Sequence, residues 1–311
     1  MKIYGKADKY ENIPENKGFC VAVGNFDGFH LGHKRLLEEL KKEAHNPGCE
    51  TLVYTFEGHT LKTIRPENAP EIIMSNRQKA EAAAAEGIDA IYFETFDRAF
   101  ASLSPEAFAD NILAGKLGAK ALAIGENFTF GAGGKGTAEL LKELAEKKNI
   151  KTLIVPSVKL DGETVSSSSL RKFIKDGDFE NYTRFAGRRF SIEGTVEHGR
   201  EVGRRLGFPT ANLSVREGFA CPAHGVYATK TLINGKLYNG ITNVGTNPTF
   251  KLNKVVAETH LFESRGDIYG ADISVFFFKK IRDELCFENI DGLKAQIARD
   301  IEKGKMLLDN A

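Results

Sequence analysis

The feature that most constrains this chain is a ten-residue stretch near its start, Gly24-Asn25-Phe26-Asp27-Gly28-Phe29-His30-Leu31-Gly32-His33. The apolar run Phe19-Cys20-Val21-Ala22-Val23 enters it. A helical pattern from Lys34 to His45 leaves it, with Leu36, Leu37 and Leu40 on one stripe and Glu38 with Lys42 as an i,i+4 pair outside. A short apolar strand, a glycine-rich turn and a helix start, in that order, gather free backbone N–H groups at one point where an anion can sit. Two histidines three residues apart, neutral or partly charged near neutral pH, would lie against that anion. The stretch is therefore expected to be a triphosphate site formed by Gly24, Phe26, Asp27, Gly28, His30, Gly32 and His33. The glycines let backbone and nucleotide approach closely.

Downstream of this stretch, strands alternate with helices. Thr51–Phe56, Ile88–Phe93, Ala119–Ile124 and Lys151–Val155 are apolar runs of strand length. Between them, Ser75-Asn76-Arg77-Gln78 has the capping-box pattern and opens an alanine-rich helix that Gly87 ends. Ser104-Pro105-Glu106 opens another helix, and Thr137 caps one that runs to Lys148. This order predicts a parallel sheet covered on both faces, with ligands beyond the carboxyl ends of its strands. Two more polar stretches stand at such ends. In Gly125 to Gly131, Asn127 is either a turn residue or a ligand contact. In Val165-Ser166-Ser167-Ser168-Ser169-Leu170-Arg171, the serines are either a solvated loop ending in a helix cap or, with Arg171, a cradle for phosphate oxygens. Gly131-Ala132-Gly133-Gly134-Lys135-Gly136-Thr137 imitates a P-loop, but its lysine precedes the last glycine and the spacing fails.

Near Phe185 the periodicity changes, which places domains at 1–184 and 185–311. Ser191–Glu197 and Gly225–Thr231 alternate, and Asn234-Gly235 between two apolar runs is a hairpin signal. Val255–Phe262 and Asp272–Ile281 read as further strands, and a helix from about Gly292 to Leu308 carries Leu293, Ile297, Ile301 and Leu308 on one stripe. A small antiparallel barrel with a C-terminal helix is expected. In Gly203 to Leu213, Thr210 and Asn212 would share one strand face and could hold a hard cation or phosphate oxygens, or they belong to an ordinary turn. Glu258 interrupts an apolar strand, either as a solvated acid or as a positioned base.

A net charge of +1 argues against a broad nucleic-acid surface. No run is long enough to span a bilayer, and the amino terminus lacks a signal-peptide core, so a cytoplasmic protein is expected. Cys20, Cys49, Cys221 and Cys286 form no metal-binding spacing and are expected to be buried, reduced thiols.

The opening stretch resembles the G-x-F-D-G-x-H-x-G-H signature of the bacterial bifunctional riboflavin kinase/FAD synthetases. Gly125–Gly131 is similar to that family's G-x-N/D-F-x-F-G, and Val165–Arg171 to its I-S-S-T-x-I-R, with Ser168 in place of threonine. Thr55-Phe56-Glu57-Gly58-His59-Thr60 stands where the family tends to have T-F-D/E-P-H-P, so both prolines are missing. In the second half, Gly203–Leu213 resembles G-R-x-L-G-F-P-T-A-N-L, and Asn243–Phe250 resembles N-I/V-G-x-x-P-T-F. Glu258-Thr259-His260 and the series Arg282, Glu284, Phe287 match as well.

The resemblance implies an α/β doubly wound, Rossmann-like nucleotidyltransferase domain followed by a β-barrel riboflavin kinase domain. It implies riboflavin, FMN and ATP as substrates and Mg²⁺ or another divalent cation as cofactor. A homo-oligomer is compatible with it. His30 and His33 would clamp phosphate oxygens, with Ser166, Ser167, Ser168 and Arg171 on the β- and γ-phosphates, and Asn127 and His59 on the FMN side. Glu258 would be the kinase base. Gly203, Arg204, Gly207, Pro209, Thr210 and Asn212 would hold the kinase ATP, with Thr210 and Asn212 on the metal. Asn243, Thr249, Arg282 and Phe287 would lie by the flavin. A chain with the kinase alone active, and a flavin-binding regulator without catalysis, are the competing readings.

Overall fold

Strand β2 (Phe19–Val23) is buried at all five positions. This is what a continuous apolar run requires of a parallel sheet covered on both faces. The computed structural model describes residues 1–6, 9–14, 17–45, 49–197, 207–247, 254–263 and 268–309. Its packing divides into two units, Met1–Ser169 and Leu170–Ala311.

In the first unit, β1 (Lys2–Gly5), β2, β3 (Glu50–Phe56), β4 (Ala90–Glu94), β5 (Ala121–Gly125) and β6 (Lys151–Val155) form one sheet in the order β1-β4-β3-β2-β5-β6. Every pairing is parallel. The chain runs from β2 to β3 on one side and later returns to β5 on the other. The carboxyl end of β2 is thus the switch point, where such sheets open a crevice. The helix Leu31–His45 comes directly after the turn and buries Leu36, Leu37, Leu40 and Ala44. The capping box forms as expected: Ser75 accepts from Gln78 N–H, and the Gln78 side chain accepts from Ser75 N–H. Ser104 and Thr137 cap their helices. After Ala107 the helix continues through Phe108–Lys116 in a wider winding, with Leu117 N–H donating to Ile112 O. A two-stranded ribbon, β7 (Lys159–Leu160) with β8 (Glu163–Thr164), precedes the helix Ser167–Asp176. Three of the four serines thus form its first turn.

The expectation of four buried thiols fails. Cys20 and Cys49 are joined as a disulfide with Cα atoms 6.2 Å apart, Cys221 is half-buried and Cys286 exposed. Parallel pairing of β2 with β3 sets Phe19 opposite Glu50 and so makes neighbours of two cysteines 29 residues apart. Linear spacing carries no trace of that.

In the second unit, β9 (Ser191–Thr195), β10 (Thr210–Ser214), β11 (Gly225–Ile233), β12 (Lys236–Asn247), β13 (Lys254–Leu261) and β14 (Asp272–Arg282) make an antiparallel sheet in the order β10-β13-β12-β11-β14-β9. A bridge from Glu197 N–H to Asn212 O, 2.9 Å, brings the β9 end of the chain to edge strand β10 and nearly closes the barrel. The Asn234-Gly235 hairpin has φ +46° and +79°, the primed turn its residues favour. On one face, Thr229, Thr242 and Thr259 are fully buried and their hydroxyls are linked at 2.8 Å each. The helix Ile290–Asp309 sets Leu308 against Val226, Ala228, Ile241 and Ile281 on the other. The helix Phe179–Ala186 also belongs here, with Phe179 against Phe190, Tyr227 and Phe277 at 5.0–5.5 Å. This amphipathic helix buries its stripe against the barrel's aromatics and so packs with the second unit.

Candidate active sites

The turn after β2 is strained and locked. Phe26 and Phe29 adopt φ +46° and +44°, a region costly for bulky residues, beside Gly28 at +81°. Both phenylalanines are fully buried, with centroids 5.6 Å apart, and their burial holds the backbone there. The His33 ring lies 4.8 Å from Phe26 and stacks on His30 at 3.8 Å. Gly32 is fitted to this stack: a Cβ there would sit 3.0 Å from the His30 ring. Asp27 is buried and accepts from the backbone N–H of Ile73 (3.0 Å) and Met74 (3.1 Å), so its carboxylate ties the turn to a loop far along the chain. Phe26 thus packs beneath the histidine rings, and Asp27 tethers the turn. Lys79, 1% exposed, donates to Phe56 O at 3.3 Å, and burial lowers its pKa to about 8 while Asp27 opposes the shift.

Burial lowers the His30 pKa from 6.5 to about 4. Of the two sequence readings, neutral is correct for His30 at physiological pH. Among the described residues its buried Nδ1 meets no hydrogen-bond partner, and neither does Asn25 Oδ1. A buried polar atom without a partner calls for one, and at a site a ligand or an ordered water can supply it. Gly24 donates to Tyr54 O, which fixes the entry to the turn.

The serine run closes one side. Ser166 caps its helix through a reciprocal pair with Ser169, at 3.0 and 3.2 Å. Ser167 Oγ donates to Asp27 O at 2.7 Å. Ser168 is exposed and Arg171 half-buried, one turn along the same helix. Two of the serines expected on phosphate thus also bond protein atoms.

Beside Gly24 and Asn25 lies a cavity of about 550 Å³, lined by His59, Arg65, Asn127, Phe128, Gly131 and other residues. Phe56, Phe96, Phe100, Phe108 and Phe130 make it aromatic, with edge contacts of 5.3 Å (Phe56–Phe96) and 5.6 Å (Phe56–Phe100). The wall comes from several separate segments, and its sequence signal is compositional: 22 phenylalanines and no tryptophan. His59 and Asn127 both line the cavity, and Asn127 Nδ2 also donates to Ser157 at 3.3 Å. The loop lacking prolines is ordered by other means. Gly58 turns at φ +72°, which proline cannot adopt, and Leu61 N–H donates to His59 Nδ1.

In the second unit, Asn212 and Asn243 both stand directly opposite Glu258, from β10 and β12 respectively. Opposed residues of antiparallel strands share a face, so two carboxamides flank one half-buried carboxyl group. Thr210 lies two residues from Asn212 on that face, opposite His260, whose Nδ1 donates to Pro209 O at 3.0 Å. Pro209 and Gly207 are exposed before β10. Asp300 accepts from the Nε and Nη2 of Arg282 at 2.9 and 2.8 Å, which fastens the C-terminal helix to β14. Phe287 is half-buried in the loop after β14, and in that loop Glu284 packs over Gly245. Gly203, Arg204 and Thr249 lie outside the described residues.

Comparison with known proteins gives these sites a context. The FAD synthetase family model matches residues 12–169 and the riboflavin kinase family model residues 186–308. A bifunctional riboflavin kinase/FMN adenylyltransferase of Buchnera aphidicola is 37% identical over 291 residues, covering 92% of this chain and 93% of that protein. The protein of the same description from Escherichia coli K12 is 36% identical over 301 residues, 96% of each. A solved chain from Streptococcus pneumoniae, described as a macrolide-efflux protein, superposes with a TM-score of 0.84 at 30% identity, covering 96% of this chain and 97% of that one. Among the described residues no helix is long and apolar enough to cross a membrane. With both family models matched in order and relatives aligned along almost the whole chain, this chain belongs to the bifunctional riboflavin kinase/FMN adenylyltransferase family.

Proposed function

We propose that the chain makes FAD from riboflavin in two ATP-dependent steps. The second unit phosphorylates riboflavin to FMN, and the first transfers AMP from ATP to FMN with release of pyrophosphate. The observation that carries the second step is the pair of orphaned buried atoms, His30 Nδ1 and Asn25 Oδ1, at a switch point beside an aromatic cavity of flavin size.

In the adenylyl step a phosphate oxygen of FMN bonds to the α-phosphorus of ATP, and the bond to the β-phosphate oxygen breaks. The reaction needs alignment and charge neutralisation rather than a protein nucleophile. The neutral His30 ring offers an N–H to the departing charge, and a polyanion beside it raises its pKa and favours a second proton. Ser168 and the first-turn N–H groups of the helix Ser167–Asp176 support the outer phosphates, together with Arg171. In the kinase step Glu258 accepts the proton of the riboflavin 5′-hydroxyl as its oxygen bonds to the γ-phosphorus and ADP leaves. Asn212 and Asn243 on either side orient the carboxylate. The Thr210 hydroxyl and Asn212 carbonyl oxygen are hard donors two residues apart on one face, a set that fits Mg²⁺ shared with phosphates. Bound there, the cation supplies charge neutralisation to the transferring phosphoryl group.

Incubation of the full chain with riboflavin, ATP and Mg²⁺, with separation of the flavins afterwards, tests both steps. FAD is expected. FMN alone would leave only the kinase active, and unchanged riboflavin would leave a binding protein. A second incubation starting from FMN tests the first unit directly.

A further inference from the structure

Asn25 has two ends with different fates. Its carbonyl is fixed by Thr55 Oγ1 at 2.9 Å, from the fully buried Thr55 of β3. Its side-chain Oδ1 is also buried, and among the described residues it takes no hydrogen bond. On the sequence side it comes after Gly24, and on the other Phe26 is held at φ +46°, so the backbone cannot swing the amide away cheaply. A carbonyl oxygen buried without a partner costs on the order of 1–3 kcal/mol, which a donor on a bound ligand would recover.

The cavity wall says which ligand. It includes Gly24 and Asn25 but none of Phe26 to His33, so the cavity meets the phosphate turn at these two residues. If an isoalloxazine ring lies among Phe56, Phe96, Phe100 and Phe128, the phosphate that attacks ATP lies toward His30. The part of the molecule crossing Asn25 is then the polyhydroxylated ribityl chain. Each of its hydroxyls is a donor, which is what an orphaned carbonyl oxygen lacks.

We infer that Asn25 is a substrate-recognition residue whose Oδ1 accepts a hydrogen bond from a ribityl hydroxyl of the flavin phosphate. This rests on the reading of the cavity as the flavin site of adenylyl transfer. It distinguishes flavin phosphates with a full ribityl chain from those without one, because a missing hydroxyl leaves the buried oxygen unpaired again.

The test compares wild type with Asn25→Leu, close in volume and unable to accept. The substrates are FMN, FMN analogues lacking one ribityl hydroxyl each, and 2′-deoxy-ATP in place of ATP. In wild type, deletion of one particular hydroxyl should lower kcat/KM about tenfold or more. Asn25→Leu should lose a similar factor with FMN, be indifferent to that same deletion, and keep the wild-type KM for ATP. Asn25→Ala adds no bulk and must show the same indifference, which separates recognition from a packing defect. If the variants remain as sensitive as wild type to every deletion, or if only the 2′-deoxy-ATP sensitivity changes, the inference is overturned while the flavin site stands. A wild type that forms no FAD from FMN overturns the flavin reading itself, and the inference with it.

Discussion

The buried imidazole of His30 makes stability itself a reporter of the site. Its ring is 9% exposed, and burial takes its pKa from 6.5 to about 4. Between these values the unfolded chain binds a proton that the folded chain refuses, so stability rises with pH across this window and falls on acidification. Above pH 6.5 the ring is neutral in both states and contributes no slope; below about 4 the whole penalty is present. The full difference is worth about 3 kcal/mol, and at about pH 5 it is worth about 2 kcal/mol. His30→Gln keeps a polar side chain of similar reach and removes the titration. Urea unfolding of both proteins at neutral pH and at about pH 5 gives a double difference free of every other titrating group. Wild type should lose about 2 kcal/mol more than the variant on acidification. A double difference under about 0.5 kcal/mol would refute the argument, because a ring that accepts its proton without cost is solvated or paired. The same reasoning makes nucleotide binding proton-linked: the His30 titration, monitored by NMR, should move upward when ATP is added.

Gly32→Ala should lower FAD formation about tenfold to a hundredfold while riboflavin phosphorylation is unchanged, since its Cβ would press the His30 ring from 3.0 Å; steady-state rates of the two reactions check it. Glu258→Gln should cut riboflavin phosphorylation about 10²–10⁴-fold and spare adenylyl transfer from added FMN, and normal FMN production by the variant would remove Glu258 as the base. Asp300→Ala removes the carboxylate partner of the largely buried Arg282 guanidinium and should destabilise the second unit by about 3–5 kcal/mol, read from its denaturation midpoint.

The sequence was most legible where local chemistry decides structure. Apolar runs became parallel strands, Ser75 with Gln78 closed its box, and Asn234-Gly235 turned its hairpin. It was silent where distant segments meet. The Cys20–Cys49 pairing depends on the register of two strands, and the cavity's phenylalanines come from loops and helices with no common period. The site shows the same divide. The two histidines and Glu258 stand out by type and position, whereas His59 and Asn127 are assigned only through the family resemblance. That Asp27 holds a loop, that Ser167 holds Asp27, and that Arg282 holds Asp300 emerges from three-dimensional partners only. The vacant acceptor on Asn25 could not be read from a residue that looks like any turn asparagine.

The bond from Ser167 to Asp27 spans 140 residues. Val165 O lies 3.7 Å from where a Gly32 side chain would begin, across a similar span. Strand β2 likewise needs β5, a hundred residues on, for its second neighbour. During synthesis the phosphate turn therefore leaves the ribosome long before the segments that brace it. A nascent chain ending before about residue 165 can form strands β1 to β6 and still carry an unbraced turn, with long-range closure as the slow step. Competence to bind ATP should then arrive late and abruptly, as a length threshold in a series of stalled chains rather than as a gradual gain.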